Sequence, residues 1–231
     1  MLEIEQVSVT AGGMTILRDV DLEVADGEVV AVLGPSGSGK STLLRAIAGL
    51  AEVVSGDIRW DGRSILGRPT HERGFGFMFQ RYALFPHLDV ARNVGFGLRM
   101  KKAGDIAGKV EDALNWVGLS GFGERKIDGL SGGERQRVAL ARTLAPDPRM
   151  VMLDEPLGAL DRNLRERLLT EIRQILVGRN MTALVVTHDR EEASALSDRL
   201  ALMRDGTIIQ TGTAQQLLAD PVDDWVTEFL G

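Results

Sequence analysis

The residues best suited to chemistry begin with a glycine-rich run, Gly34-Pro35-Ser36-Gly37-Ser38-Gly39-Lys40-Ser41, followed by Thr42. Its spacing is G-x-x-x-x-G-K-[ST], an arrangement that wraps backbone N–H groups around a phosphate. Glycine allows the inward-turned backbone, and a helix starting just beyond adds positive potential. Lys40 then serves the β- and γ-phosphates as a point charge, and the Ser41 hydroxyl is placed for Mg²⁺. The alternative, a plain glycine-rich turn, does not account for the apolar stretch before the run and the amphipathic one after it. Spacing alone does not name the reaction, because kinases, GTPases and many ATPases share it.

A second cluster is Asp154-Glu155, which closes the apolar run Met150 to Leu153. Ligands of parallel sheets bind where such strands end. Asp154 suits Mg²⁺ held through its water shell, and Glu155, pointing the other way, suits orienting and deprotonating an attacking water. An unperturbed Glu, with a pKa of ~4.3, is a weak base for water, so positioning outweighs proton removal. Taken alone, a strand ending in Asp-Glu is more often a solvated end. The upstream phosphate loop reverses that reading.

Holding these groups calls for alternating strands and helices. Leu2 to Val9 and Ile16 to Val24 read as strands, and Val29 to Leu33, apolar throughout, reads as a buried central one. Lys40 to Leu50 has Leu43, Leu44, Ile47 and Leu50 at helical spacing. Ser55-Gly56 and Asp61-Gly62 flank a hairpin strand, Asp57 to Trp60. From Tyr82 to Ala145 the pattern turns helical, broken at Gly95, Gly104, Gly118, Gly121 and Gly129. Parallel-sheet character returns at Met150 to Leu153 and Ala183 to Val186, with a helix over Asp161 to Val177 between them. A hairpin over Arg199 to Gln210, then one or two short helices ending at Leu230, completes the pattern.

Composition narrows the function. Of 231 residues, 27 are Lys or Arg and 33 Asp or Glu, a formal net charge of -6 that offers no field for a nucleic-acid backbone. Cysteine is absent, which removes disulfides, thiolate zinc sites and cysteine nucleophiles together. The start, MLEIEQVSV, carries acid where a signal peptide would carry positive charge. No apolar run approaches the ~18 residues that span a bilayer, so a membrane role has to be peripheral or through a partner.

Leu130-Ser131-Gly132-Gly133-Glu134-Arg135-Gln136 decides the class: here the sequence resembles the ATP-binding cassette family, whose signature opens a helix in a helical lobe. A Ser and two glycines at a helix N-terminus make a second anion cradle, far along the chain from the first. The resemblance covers essentially the whole chain. Gln80 matches the glutamine that touches Mg²⁺ and the water, Gly158-Ala159-Leu160-Asp161 the loop joining two active sites across a dimer, and His188 the switch histidine at the γ-phosphate. The implied fold is α/β: a P-loop NTPase core with a parallel sheet, an N-terminal antiparallel β subdomain and an inserted α-helical subdomain. One domain over residues 1–231 is expected, with 1–81 and 146–231 as core and 82–145 as insert.

The resemblance implies Glu155, His188 and Gln80 as catalytic residues and Gly34 to Thr42 as the nucleotide loop. Ser131, Gly132, Gly133 and Glu134 form the signature offered to the partner subunit, and Ser41, Gln80 and Asp154 attend the metal. ATP and Mg²⁺ are the implied cofactors. The implied assembly is a homodimer in the ATP state, with transmembrane permease subunits and, indirectly, an extracytoplasmic solute-binding protein; no nucleic acid takes part. Its place is cytoplasmic, peripheral on the inner face of the membrane. Arg81-Tyr82-Ala83-Leu84-Phe85-Pro86-His87-Leu88 looks like the importer branch serving ferric iron, polyamines, thiamine or sulfate, with Tyr82, Leu84 and Phe85 either lining a partner groove or packing the helical lobe. Relatives there often carry a further regulatory domain; with the sequence stopping at Gly231, none is expected. The family's adenine-stacking aromatic is missing from Thr10-Ala11-Gly12-Gly13, which predicts weakened discrimination between ATP and GTP. Two other readings are weighed: a soluble cassette ATPase acting on nucleic acid or ribosomes, which lacks its usual tandem cassettes here, and a small-molecule kinase, which leaves Ser131-Gly132-Gly133 and His188 unexplained.

Overall fold

The computed structural model describes residues 1–157 and 162–231. In chain order the elements are β1 (Leu2–Ala11), β2 (Met14–Val24), β3 (Val29–Leu33), α1 (Lys40–Ala48), β4 (Ser55–Trp60), β5 (Arg63–Ser64) and β6 (Phe75–Met78). Helices α2 (Val90–Val94), α3 (Phe96–Met100), α4 (Ile106–Trp116) and α5 (Gly132–Leu144) come next. Then follow β7 (Met150–Asp154), α6 (Arg162–Gly178), β8 (Ala183–Thr187), α7 (Arg190–Leu196), β9 (Arg199–Arg204), β10 (Thr207–Gly212), α8 (Ala214–Ala219) and α9 (Asp224–Leu230).

Two sheets form. The first has the order β2-β1-β4-β5 and is antiparallel. The second runs β10-β9-β3-β8-β7-β6, parallel from β9 to β6, with β10 antiparallel at its edge. The all-apolar runs of β3, β7 and β8 follow from burial on both faces. Ala31, Leu33, Val151, Leu153 and Val185 pack toward the helices, and Val30, Val32, Met150, Met152 and Leu184 pack toward α1 and the antiparallel sheet. The central sheet is thus fixed between two apolar cores, and the loops at its ends inherit that rigidity.

Boundaries differ from the sequence reading in instructive ways. The first helix stops at Ala48, two residues early, because Gly49 takes φ +75° and the Arg45 carbonyl accepts from Leu50 N–H. Ser55-Gly56, read as a turn, belongs to β4. Helix α6 is observed from Arg162, while Gly158 to Asp161, the expected dimer loop, lies outside the described residues. Tyr82 and Leu84 are half-buried against the helical core, and Phe85 lies 4.7 Å from Phe96, centroid to centroid. All three make contacts within the helical lobe while staying partly exposed. Tyr82 and Ala83 both take positive φ, +59° and +48°, and Arg142 of α5 donates to the carbonyls of both, at 2.5 and 2.7 Å.

Candidate functional site

Strands β3, β8, β7 and β6 lie side by side and parallel, so their carboxyl ends share one edge of the sheet. Beyond those ends stand Gly34 to Ser41, His188, Glu155 and Gln80 respectively. Topology alone gathers four distant stretches of sequence there.

The loop after β3 closes on α1 at Gly39, whose φ of +103° admits no side chain without strain; a Cβ there would also meet Leu17 Cδ2 at 2.8 Å. No side chain caps α1, so its first N–H groups face the loop's interior. Lys40 is buried, and its Nζ donates to the carbonyls of Gly34 and Pro35, both at 2.8 Å. Burial pulls the Lys40 pKa below its ordinary value, with Glu155 and Asp154 opposing part of that shift. Ser41 Oγ donates to Asp154 Oδ1 at 2.7 Å. Burial pushes the Asp154 carboxyl up, against the pull of the Ser41 hydrogen bond.

Glu155 takes φ +46°, held by its N–H donating to the Val186 carbonyl at 2.9 Å. Its side chain therefore returns to the Ser41 cleft instead of pointing away from it, as strand alternation predicts. Gln80 Nε2 donates to Glu155 Oε2 at 2.5 Å, and His188 Nδ1 lies 3.3 Å from Glu155 Oε1. Glu155 is 18% exposed and His188 52%, so the carboxylate sits at the floor of the cleft and the imidazole at its rim. Ser41, Asp154 and the Gln80 carbonyl supply oxygen donors only, a hard set suited to Mg²⁺. No cluster of three His, Cys, Asp or Glu side chains able to hold a metal exists among the described residues.

The cleft holds about 340 Å³ and is bounded by Ser36, Gly37 and Thr42 along the loop and by Ile16 of β2 opposite. Ile16 was not legible as a site residue; its only signal was an apolar side chain next to buried Leu17. A larger hollow of about 560 Å³ lies beside Arg73, but that guanidinium is engaged by the carbonyls of Ala46, Ile47, Leu66 and Arg68.

Ser131, Gly132, Gly133 and Glu134 are not part of this cleft. They open α5, where Ser131 N–H donates to Glu134 Oε2 at 2.7 Å and Glu134 N–H donates to Ser131 Oγ at 3.3 Å, a reciprocal cap. Hydrogen bonds from Ser131 hold the Glu134 carboxyl below the usual range. Among the described residues no hydrogen bond joins this turn to the Gly34 to Ser41 loop. Its four residues are also absent from the lining of the cleft.

Known proteins share this layout. The family described as ABC transporter matches residues 17–158. The Fe(3+) ions import ATP-binding protein FbpC of Streptomyces avermitilis is 52% identical over the whole of this chain, which spans 68% of that relative. The sulfate/thiosulfate import ATP-binding protein CysA of Caulobacter vibrioides is 46% identical over the whole chain, 70% of its own length. A dimeric post-hydrolysis state of the ATP-binding cassette MJ0796, bound to ADP and Pi, superimposes with a TM-score of 0.82 at 30% identity, over 92% of this chain and 98% of that one. By the family match over residues 17–158 and by these relatives, this chain belongs to the ABC transporter family and is one of its ATP-hydrolysing subunits.

Proposed function

We propose that the chain powers a binding-protein-dependent importer by closing as a head-to-tail homodimer on ATP and opening after hydrolysis. One observation carries the reading: the Lys40 loop and Glu155, bonded to Gln80 and beside His188, share one cleft, and Ser131 to Glu134 are not in its lining. A second copy supplies them. Gly34 to Thr42 hold the triphosphate, Lys40 leaving its loop carbonyls for the phosphate oxygens. Ser41, Asp154 and Gln80 would hold Mg²⁺, which when bound offsets charge on the β- and γ-oxygens. Glu155 orients the attacking water and takes its proton, with His188 at the γ-phosphate. Ser131 and Gly133 of the opposite chain bond that phosphate, each such charge-assisted bond contributing ~1.5–3 kcal/mol.

Permease subunits are the proposed load, with a solute-binding protein acting through them, and the chain sits at the cytoplasmic face of the membrane. No helix among the described residues is long and apolar enough to cross it. Residues 82–145 form the proposed helical subdomain, carrying the signature away from the core of 1–81 and 146–231. Ferric iron is the favoured cargo, since two iron-import relatives are 52% and 53% identical, against 42% to 46% for the polyamine and sulfate ones.

Glu155→Gln tests the mechanism. The variant should bind ATP, lose at least about 100-fold in turnover, and accumulate as an ATP-bound dimer in light scattering. Unchanged turnover would overturn the role given to Glu155.

A further inference from the structure

His188 hangs from a loop held by a closed ring of hydrogen bonds. Thr187 Oγ1 donates to Glu192 Oε2 at 2.8 Å, Asp189 N–H donates to Thr187 Oγ1 at 3.0 Å, and Glu192 N–H donates to Asp189 Oδ1 at 3.0 Å. The ring brackets His188 on both sides. It is anchored outward by Arg165 of α6, which donates to Asp189 Oδ2 at 3.0 Å. Inward, Glu192 is 3% exposed and Thr187 1%.

An ordinary helix cap does not look like this. With Asp189 at the N-cap and Glu192 three residues on, the usual reciprocal pair would bring the Glu carboxylate to the Asp189 N–H in solvent. The Ser131–Glu134 pair in this chain does so. At α7, by contrast, the Thr187 hydroxyl stands between carboxyl and N–H, and the carboxyl is buried with Oε1 unpaired by protein. Burial, then Asp189, pushes the Glu192 carboxyl up to about 7, against Thr187, Arg165 and His188. The charged groups facing it are Asp189 and His188 on the loop, Arg165 and Glu166 on α6, and Glu191 on α7; β8 contributes Thr187. An exposed cap would fasten the helix without that desolvation.

We propose that Glu192 is a positioning residue for hydrolysis: its buried carboxyl, acting through Thr187, fixes the backbone on either side of His188 and so sets where the imidazole meets Glu155. The inference rests on the proposed role of His188, and it adds a residue that touches neither nucleotide nor water.

Steady-state ATP hydrolysis by the full chain, with imidazole NMR signals as a second readout, tests it. Glu192→Ala and Thr187→Val should each lower kcat about tenfold to a hundredfold while moving the KM for ATP less than about twofold. Glu192→Gln keeps an acceptor for Thr187 and should retain kcat within about threefold of the parent. The double variant Thr187→Val/Glu192→Ala should fall no further than either single, since the ring acts as one unit. In both single variants the His188 signal should shift, with His71 and His87 unmoved. Thr187→Val is close to isosteric and keeps the test open should Glu192→Ala fail to fold. Parental kcat with an unmoved His188 signal would overturn the proposal, as would additive losses in which KM rises with the fall in kcat. If His188→Ala itself turns over normally, the hydrolytic role of His188 fails, and the NMR shifts alone still decide whether Glu192 holds that side chain.

Discussion

Single side chains in this cleft carry opposed electrostatic demands. Burial lowers Lys40 and raises Asp154, and each is partly offset by the other across the Ser41 contact. Burial pushes the Glu192 carboxyl up to about 7, and that shift makes a stability prediction. Its neutral form is favoured in the folded chain, so that stabilisation is complete below its ordinary value of 4.5 and is lost as pH rises through about 7. Glu192→Gln should abolish this slope, and relative to it the parent should lose on the order of 3 kcal/mol between those limits, read by urea denaturation at stepped pH. Residue types and spacing in the sequence disclosed the phosphate loop, Asp154 and Glu155, and the resemblance added Gln80 and His188. They did not disclose Glu192, because Asp-x-x-Glu at a helix start reads as a surface cap, and only the depth of Thr187 turns it inward. Ile16 stayed hidden for a similar reason: strand alternation tells in from out, but not which cleft a side chain borders.

At the level of elements, the strands were legible as apolar runs because both faces of the parallel sheet are covered. Ends were less so. Leu50 continues the apolar period of α1, but Gly49 has already reversed the backbone, and Ser55-Gly56 has turn composition inside a paired strand. What closes α1 is distant in sequence: Arg73 Nη1 donates to the Ala46 and Ile47 carbonyls at 3.1 and 2.7 Å. A cation there also meets the negative end of the helix. Arg73→Ala should lower stability by about 2–3 kcal/mol in denaturant titration, and Arg73→Lys should restore part of it. Because α1 begins at the phosphate loop, loosening its far end should also weaken ATP binding.

For the whole molecule, the fold leaves the Ser131 turn at the start of α5 outside the lining of the phosphate-loop cleft. Ser131→Arg should leave ATP titration of the single chain unchanged while preventing association in the Glu155→Gln background, measured by light scattering. Dimer formation at parental nucleotide concentrations would refute the trans role of Ser131. That long-range arrangement was readable only through the resemblance, since nothing local in Ser-Gly-Gly says which chain it serves. Helix α5 runs from that serine to Arg142, whose guanidinium grips the reversed backbone at Tyr82 and Ala83, two and three residues past Gln80. Thirteen residues of α-helix make a stiff strut of roughly 20 Å. One rigid element therefore ties the signature turn to the stretch that leads out of the cleft, and a displacement of its tip should be carried to the glutamine segment.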